Sequence, residues 1–468
     1  MSERYDAAVI GGGVSGLAAA SLLAKSGLRT VLLEQAATLT GDAGEPALHA
    51  LDPRLVKALK LAKRGLKFAQ RDLALAIRHP GGKPVLVNRD RHATARSLAM
   101  LSAADAAAFA GFQRELNTLA RALRPAWWDG APAAETVANL KPVQQALFDR
   151  FTVTSAASFL AARFESDVLK AALAFDAAAC GFAPSEPGSA LALLWSAAQE
   201  MSGLQGAIAI PQGGVNGVLQ ALSAAAQTAG AVLRTEALVS RLLVTDNRIA
   251  GLELAAGEQL DVPLVLSTLT RRRTLESLAP TALTGLGAAQ ALGRAAPQTG
   301  SVTLVFGLNR LPEGAQARAI IAEKLETYET AFTAARLGQM PAEPILELIL
   351  PPQAPSTEQL ASRLLLSVRV WPVPIAAFDK DVLLRTVTAM LERHIPGFAA
   401  ASCDILAPSA AAPSVARLLA GADDRIRTPV PGLLMCGDDA EPADAISGRA
   451  ARQAARLALA RHRSGGAR

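Results

Sequence analysis

Cysteine, histidine and tyrosine are all scarce in this chain. The three cysteines, Cys180, Cys403 and Cys436, are spread over 468 residues and form no C-x-x-C. That argues against a redox-active dithiol and a cysteine-built zinc site. It fits a reducing compartment, so the cytoplasm is the expected location. The five histidines, His49, His79, His92, His394 and His462, have no metal-ligand spacing and no triad partners, and no serine stands in a G-x-S-x-G turn. No metal is expected, and no catalytic residue can be assigned. His49 is the least poor candidate for a base, set against an ordinary surface histidine. Long apolar runs without charge or glycine are missing, which excludes a membrane-spanning helix. The first strand begins too close to Met1 for a secretory leader. No stacking-aromatic pattern of the single-strand binders is present, so nucleic acid is not an expected partner.

What the chain has is apolar bulk and one strong motif. Hydrophobic residues make up 51%, much of it alanine, and mean hydropathy is +0.25. The net charge of +6 is mildly basic and suits an anionic ligand or lipid surface. Tyr5 to Ala20 reads as a buried strand, a glycine turn and a helix, with Gly11, Gly13 and Gly16 in G-x-G-x-x-G. Such a turn lets backbone approach a pyrophosphate, and the helix N-terminus, with Val14 and Ser15 in its first turn, faces the charge. A second strand, Arg29 to Glu34, ends in an acid suited to a ribose 2′-hydroxyl and repellent to a 2′-phosphate, with Gln35 just beyond it. An adenosine dinucleotide such as FAD or NAD is the implied ligand.

Further along, Asp52 to Arg64 reads as a helix capped by Asp52 and stopped by Gly65, with Lys57, Lys60, Lys63 and Arg64 on one face. It is either a solvated surface helix or a basic face for a peripheral membrane contact. Strands follow at 73–78 and 85–88, then a helix from Ser102, then a mostly helical block over 136–203 that resembles a cap over a pocket. Pro211 to Gly217 opens another helix. Strands are expected at 231–234, 239–245, 248–255 and 259–266, the last ending beside the first glycine turn. Three more lie between 299 and 371, followed by a helix at 379–394 and a loop at 408–431. Trp371 is read first as core and second as pocket wall. Gly432 to Asp439 is a strand ending in Gly437-Asp438, followed by a helix from about Asp444. Its N-terminus, around Ala445 and Ile446, offers a second contact to the same dinucleotide. Arg449, Arg452 and Arg456 form a stripe on that helix, read as a solvated face first.

The order of these motifs resembles the phytoene-desaturase-like FAD oxidoreductases, nearest the branch of the pyridine nucleotide-disulfide oxidoreductase domain-containing proteins, over nearly the whole chain. The resemblance implies an α/β fold: a Rossmann-type, glutathione-reductase-like FAD-binding domain with a mixed-sheet substrate domain and a helical cap. The FAD domain would comprise 1–75, 210–290 and 425–468, and the substrate and cap domain 76–209 and 291–424. FAD is the implied cofactor, with an apolar, often isoprenoid, small molecule as substrate. Gly11, Gly13, Gly16 and Glu34 would hold the ADP half, Val239 would touch adenine through its backbone, and Gly437, Asp438 and Ile446 would lie by the ribityl–isoalloxazine half. The chain departs from the family at Thr40 to Gly44 and at Ala440 to Asp444. Amine oxidases of similar architecture present an aromatic cage, and two tyrosines, Tyr5 and Tyr328, are few for one. A pocket lined by aliphatic groups is expected. A flavin amine oxidase, a catalytically silent FAD-binding regulatory protein and a flavin-free escort protein are the alternatives.

Overall fold

The strand Ala7–Ile10 carries no polar side chain and is buried along its whole length. It is the middle strand of a five-stranded parallel sheet, in the order Val232–Arg234, Thr30–Leu33, Ala7–Ile10, Val265–Ser267, Leu433–Met435. Burial on both faces is what an unbroken apolar strand requires. Ala7 and Val9 point to one side, against the helices Val14–Lys25, Val215–Thr228 and Arg449–Gly465. Ala8 and Ile10 point to the other, against the strands Val239–Thr245, Arg248–Leu254 and Gln259–Asp261. The computed structural model describes residues 3–465 except 40–45, 80–82, 202, 281–297, 309, 312–313, 352–363, 376–377, 396, 399, 407–408, 411–413 and 444–445. The departure at Thr40 to Gly44 therefore lies outside the described residues.

A second, eight-stranded mixed sheet is built around Thr299–Leu308, Leu364–Pro374, Ile345–Ile349, Arg318–Ile321 and Leu75–Arg78. One face (Ala76, Leu346, Val368, Val370) packs on the helix Lys380–His394. The opposite face, with Ile77, Ile320, Ile345 and Trp371, meets the helical block. Phe109, Phe112, Phe151, Phe159 and Phe164 fill that block, each fully buried ring contributing about 1.5–3 kcal/mol before the entropic cost of ordering it. The α/β class, the parallel nucleotide-type sheet and the mixed second sheet are as expected. Among the described residues, no helix is long and apolar enough to cross a membrane.

Three local expectations are corrected. The stretch 52–64 is not one helix: Pro53–Ala58 is α-helical, Leu61–Arg64 is 3-10, and Lys60 between them is left-handed at φ 53°. Leu59 and Leu61 are both buried, and residues two apart do not share a helical face, so the turn breaks to bury both. Within 408–431, read as loop, Val415–Leu419 and Ala422–Ile426 are helical. The C-terminal helix begins at Arg449, not Asp444. The strand Arg318–Ile321 and the helix Leu325–Arg336 were not anticipated.

Candidate cofactor and substrate site

The glycine turn is shaped by contacts that tolerate no side chain at two positions and leave a space at a third. Gly11 has φ +101°, and a Cβ there would lie 2.1 Å from Thr268 Oγ1. A Cβ on Gly16 would lie 1.9 Å from the Gly11 carbonyl oxygen. A Cβ on Gly13 would meet nothing within 4 Å. That opening lies where Gly13 caps the helix Val14–Lys25 without a side-chain hydrogen bond, and no acid stands in the first turn. The positive helix end therefore faces an open cradle. Val14 is buried in the core and Ser15 is half-buried beside the cradle.

Glu34 closes this end of the site. Its two carboxylate oxygens accept from the N–H of Gly12 at 2.6 Å and of Ala36 at 2.9 Å. A carboxylate accepts about four hydrogen bonds, so capacity for a ribose remains. Gln35 is exposed and accepts from Arg273 at 3.4 Å. Val239, the first residue of its strand, is buried. It is held near Glu34 because Ala237 N–H donates to the Glu34 carbonyl at 2.8 Å and Glu236 N–H to that of Ala36 at 3.0 Å.

The second motif leaves the same edge of the same sheet. Ile10, Ser267 and Met435 stand in register on neighbouring parallel strands. A Cβ on Gly437 would lie 2.2 Å from the Thr268 carbonyl oxygen, and the Thr268 hydroxyl donates to Ile10 O at 2.9 Å. Thr268 thus separates the two glycine turns, at the carboxyl ends of the strands where ligands bind in such sheets. Asp438 is exposed and opens a short 3-10 turn. Ala445 lies outside the described residues.

The helix expected to point its free N-terminus at the cofactor is instead capped from within. Glu441, fully buried, accepts from Ala450 N–H at 2.9 Å, Ser447 Oγ at 2.6 Å and Arg449 at 2.9 and 2.5 Å. Arg449, read as solvated, is 0% exposed and lies 4.6 Å from the rings of both Trp128 and Trp195. Arg452 pairs with Asp52 at 2.5 Å. Of the stripe, Arg456 alone is exposed.

A cavity of about 400 Å³ lies between the helical block and the second sheet, with Ile446 on its wall. Leu48, Leu73, Leu116, Leu173, Leu193 and Ile208 are among the residues that line it, with Phe109, Phe112, Phe175 and Trp195 beside them, so the apolar lining is mostly aliphatic, as expected, with an aromatic part. Neither tyrosine takes part: Tyr5 is buried beneath Arg29, and the Tyr328 hydroxyl donates to Ala171 O at 2.7 Å. Trp371 is core, edge-on to Phe175 at 5.3 Å.

The cavity also has a charged side. Arg318 and Arg369 line it together with Asp176 and His49. Arg318 Nε donates to Glu347 at 2.7 Å, and His49 Nε2 lies 3.7 Å from the other Glu347 oxygen. Burial would raise the Glu347 carboxyl, but Arg318, His49 and Arg369 outweigh it and hold it below the usual range. Burial raises Asp176 to about 6, with Arg318 opposing and Glu347 adding to the shift. His49 is therefore a cavity residue, not an ordinary surface one. Arg318, Glu347, Arg369 and Asp176 escaped the sequence reading. The available signal was a charge inside an apolar strand, as in Ile345-Leu346-Glu347-Leu348-Ile349.

Comparison with known proteins places these features. A model of NAD(P)-binding Rossmann-like domains matches residues 9–57, and one of flavin-containing amine oxidoreductases matches residues 50–410. The mouse pyridine nucleotide-disulfide oxidoreductase domain-containing protein 2 is 26% identical over 98% of this chain and 94% of its own. An oxidoreductase from Methanosarcina mazei shares the fold with TM-score 0.65 at 16% identity, covering 98% of this chain and 100% of its own. The cyclohexylamine oxidase of Brevibacterium oxydans does so with TM-score 0.57 at 15% identity, covering 99% and 100%.

Proposed function

The chain belongs to the flavin-containing amine oxidoreductase family, with FAD as its cofactor, and on that premise we propose that it is a dehydrogenase or desaturase of the phytoene-desaturase type, acting on a substrate with an apolar, isoprenoid-like body. Bound FAD supplies a two-electron acceptor for a substrate C–H bond. The rest falls to the chain. The Gly13 cradle and the helix end behind it take the pyrophosphate, Glu34 the adenosine ribose, and the Val239 backbone the adenine. Asp438 and Ile446 serve the ribityl and ring half. The aromatic cap residues hold the substrate body and exclude water, and His49 Nε2 is the group placed to hold a proton.

The observation carrying this reading is the position of Ile446. It stands on the wall of the cavity and on the C-terminal element whose Gly437 abuts the same threonine as Gly11. Amine oxidation is the second reading, favoured by the family's name and weakened by the arginines of the cavity. A cytoplasmic location, with a peripheral lipid contact through the exposed Lys57, Lys60 and Lys63, belongs to the same proposal.

The test is to purify the protein, identify the released cofactor by mass spectrometry, and mix the FAD-loaded form anaerobically with polyenes, isoprenoids and amines while following flavin absorbance. Bleaching by isoprenoids is expected. A colourless protein that rejects added FAD would sink the reading, and peroxide release with amines in air would replace it with the alternative.

A further inference from the structure

The charged side of the cavity is one row across the second sheet. Glu347 stands opposite Arg369 on the neighbouring strand and opposite Ile320 on the other side, with Arg318 two residues from Ile320 on the same face. This is the face turned towards the helical block, shared with Ile77, Ile345 and Trp371. Placing two guanidiniums and a carboxylate on a core-facing strand surface costs desolvation energy that a hydrophobic replacement would avoid. The row is accordingly poor at stabilising the fold and well placed to meet a ligand.

The sign of the charge says which ligand. The cavity is lined by four arginines, Arg89, Arg91, Arg318 and Arg369, and by two carboxylates, Asp72 and Asp176. Glu347 lies behind Arg318 as a third. Arg89 is engaged with Asp72 at 2.7 Å near the mouth. Arginine retains a positive surplus even with every carboxylate ionised, and the surplus grows when Asp176 takes a proton. Such a wall repels an ammonium ion. A planar guanidinium matches the two oxygens of a carboxylate, and a surplus of one charge balances a singly charged group better than a diphosphate.

We infer that this cavity seats a substrate bearing a carboxylate head group, held at Arg369 and Arg318, with its apolar body among Phe109, Phe112 and Phe175. Glu347 serves as a positioning residue that fixes the Arg318 guanidinium. The inference rests on the cavity being the substrate site of the proposed oxidoreductase.

Decanoate, decanol and decylamine titrated into the FAD-loaded protein test it, read by the flavin difference spectrum and by fluorescence of Trp195 in the cavity wall. Decanoate is expected to bind about tenfold or more tightly than decanol, as charge-assisted hydrogen bonds allow. Arg369→Gln should abolish that preference by weakening decanoate far more than decanol, and Arg369→Lys should keep part of it. Retention of decanol binding shows that the variant is folded. Equal binding of acid and alcohol would overturn the head-group assignment and leave the cavity as substrate site. Tighter binding of the amine would overturn the assignment in favour of amine oxidation. If no probe perturbs flavin or tryptophan, both the assignment and the cavity reading fall.

Discussion

Gly437 and Thr268 meet backbone to backbone: a single added carbon on Gly437 would stand 2.2 Å from the Thr268 carbonyl oxygen. The φ of Gly437 is an ordinary −92°, so glycine is needed here for space. Gly437→Ala must push apart the strands that align the two glycine turns. It is expected to cost about 1–3 kcal/mol and to weaken FAD retention, both measured on one urea titration followed by flavin and tryptophan fluorescence. Full retention of both would show that the two turns need not touch.

Gly13 makes the opposite case. Its backbone, φ −72° and ψ −174°, suits any residue, and its Cβ position is open. Gly13→Ala should leave the unfolding midpoint of the FAD-free protein unchanged while weakening FAD binding about tenfold or more, a loss of about 1.4 kcal/mol or greater. Gly16→Ala, whose Cβ would press on the Gly11 carbonyl, should harm both. A Gly13→Ala protein that binds FAD normally would mean the pyrophosphate lies elsewhere.

Asp176 gives a pH test with a definite sign. Its carboxyl is raised from 3.8 to about 6 by burial. A carboxyl raised on folding contributes stability that is complete below the unfolded value and is lost as pH rises through the folded one. Asp176→Asn should therefore exceed the parent in stability at pH 8 by about 1–3 kcal/mol, with the advantage shrinking by pH 4. Denaturant titrations at the two pH values decide it; an advantage independent of pH would assign the effect to packing instead.

The part of this molecule that was legible in advance is the part whose logic is local. Gly11, Gly13, Gly16 and Glu34 announce a strand, turn, helix and strand between Ala7 and Glu34, and the prediction that Thr268 ends a strand beside the first turn follows from the helix and run of short strands after Pro211, which return the chain to the nucleotide domain. The charged row of the cavity was not legible, because Arg318, Glu347 and Arg369 become neighbours only through strand pairing. Arg449 misled for the same reason: the tryptophans that enclose it lie 321 and 254 positions earlier in the chain, so helical spacing alone made it a surface residue.

The Glu441–Arg449 pair sets a further expectation. Both side chains are essentially unexposed. Removing one partner leaves a buried charge, so Glu441→Ala or Arg449→Met should each cost about 3–5 kcal/mol. Removing both should recover part of that loss, less the helix cap that Glu441 also provides. Unfolding midpoints of the two single variants and the double variant give the coupling; strict additivity would show the pair to be solvated.

The parallel sheet places Val265–Ser267 between Ala7–Ile10 and Leu433–Met435, and that order bears on how the protein is made. A nascent chain that has emerged as far as residue 430 lacks one edge of the sheet and the helix Arg449–Gly465 that covers Val14–Lys25. Contacts of such long sequence separation form late, and unfinished sheet edges invite association with other chains. The apolar strand Ala7–Ile10 must therefore wait, in a cell, until residues 433–465 have been made before its surroundings are complete, and shielding by a chaperone during that interval is the need this topology creates.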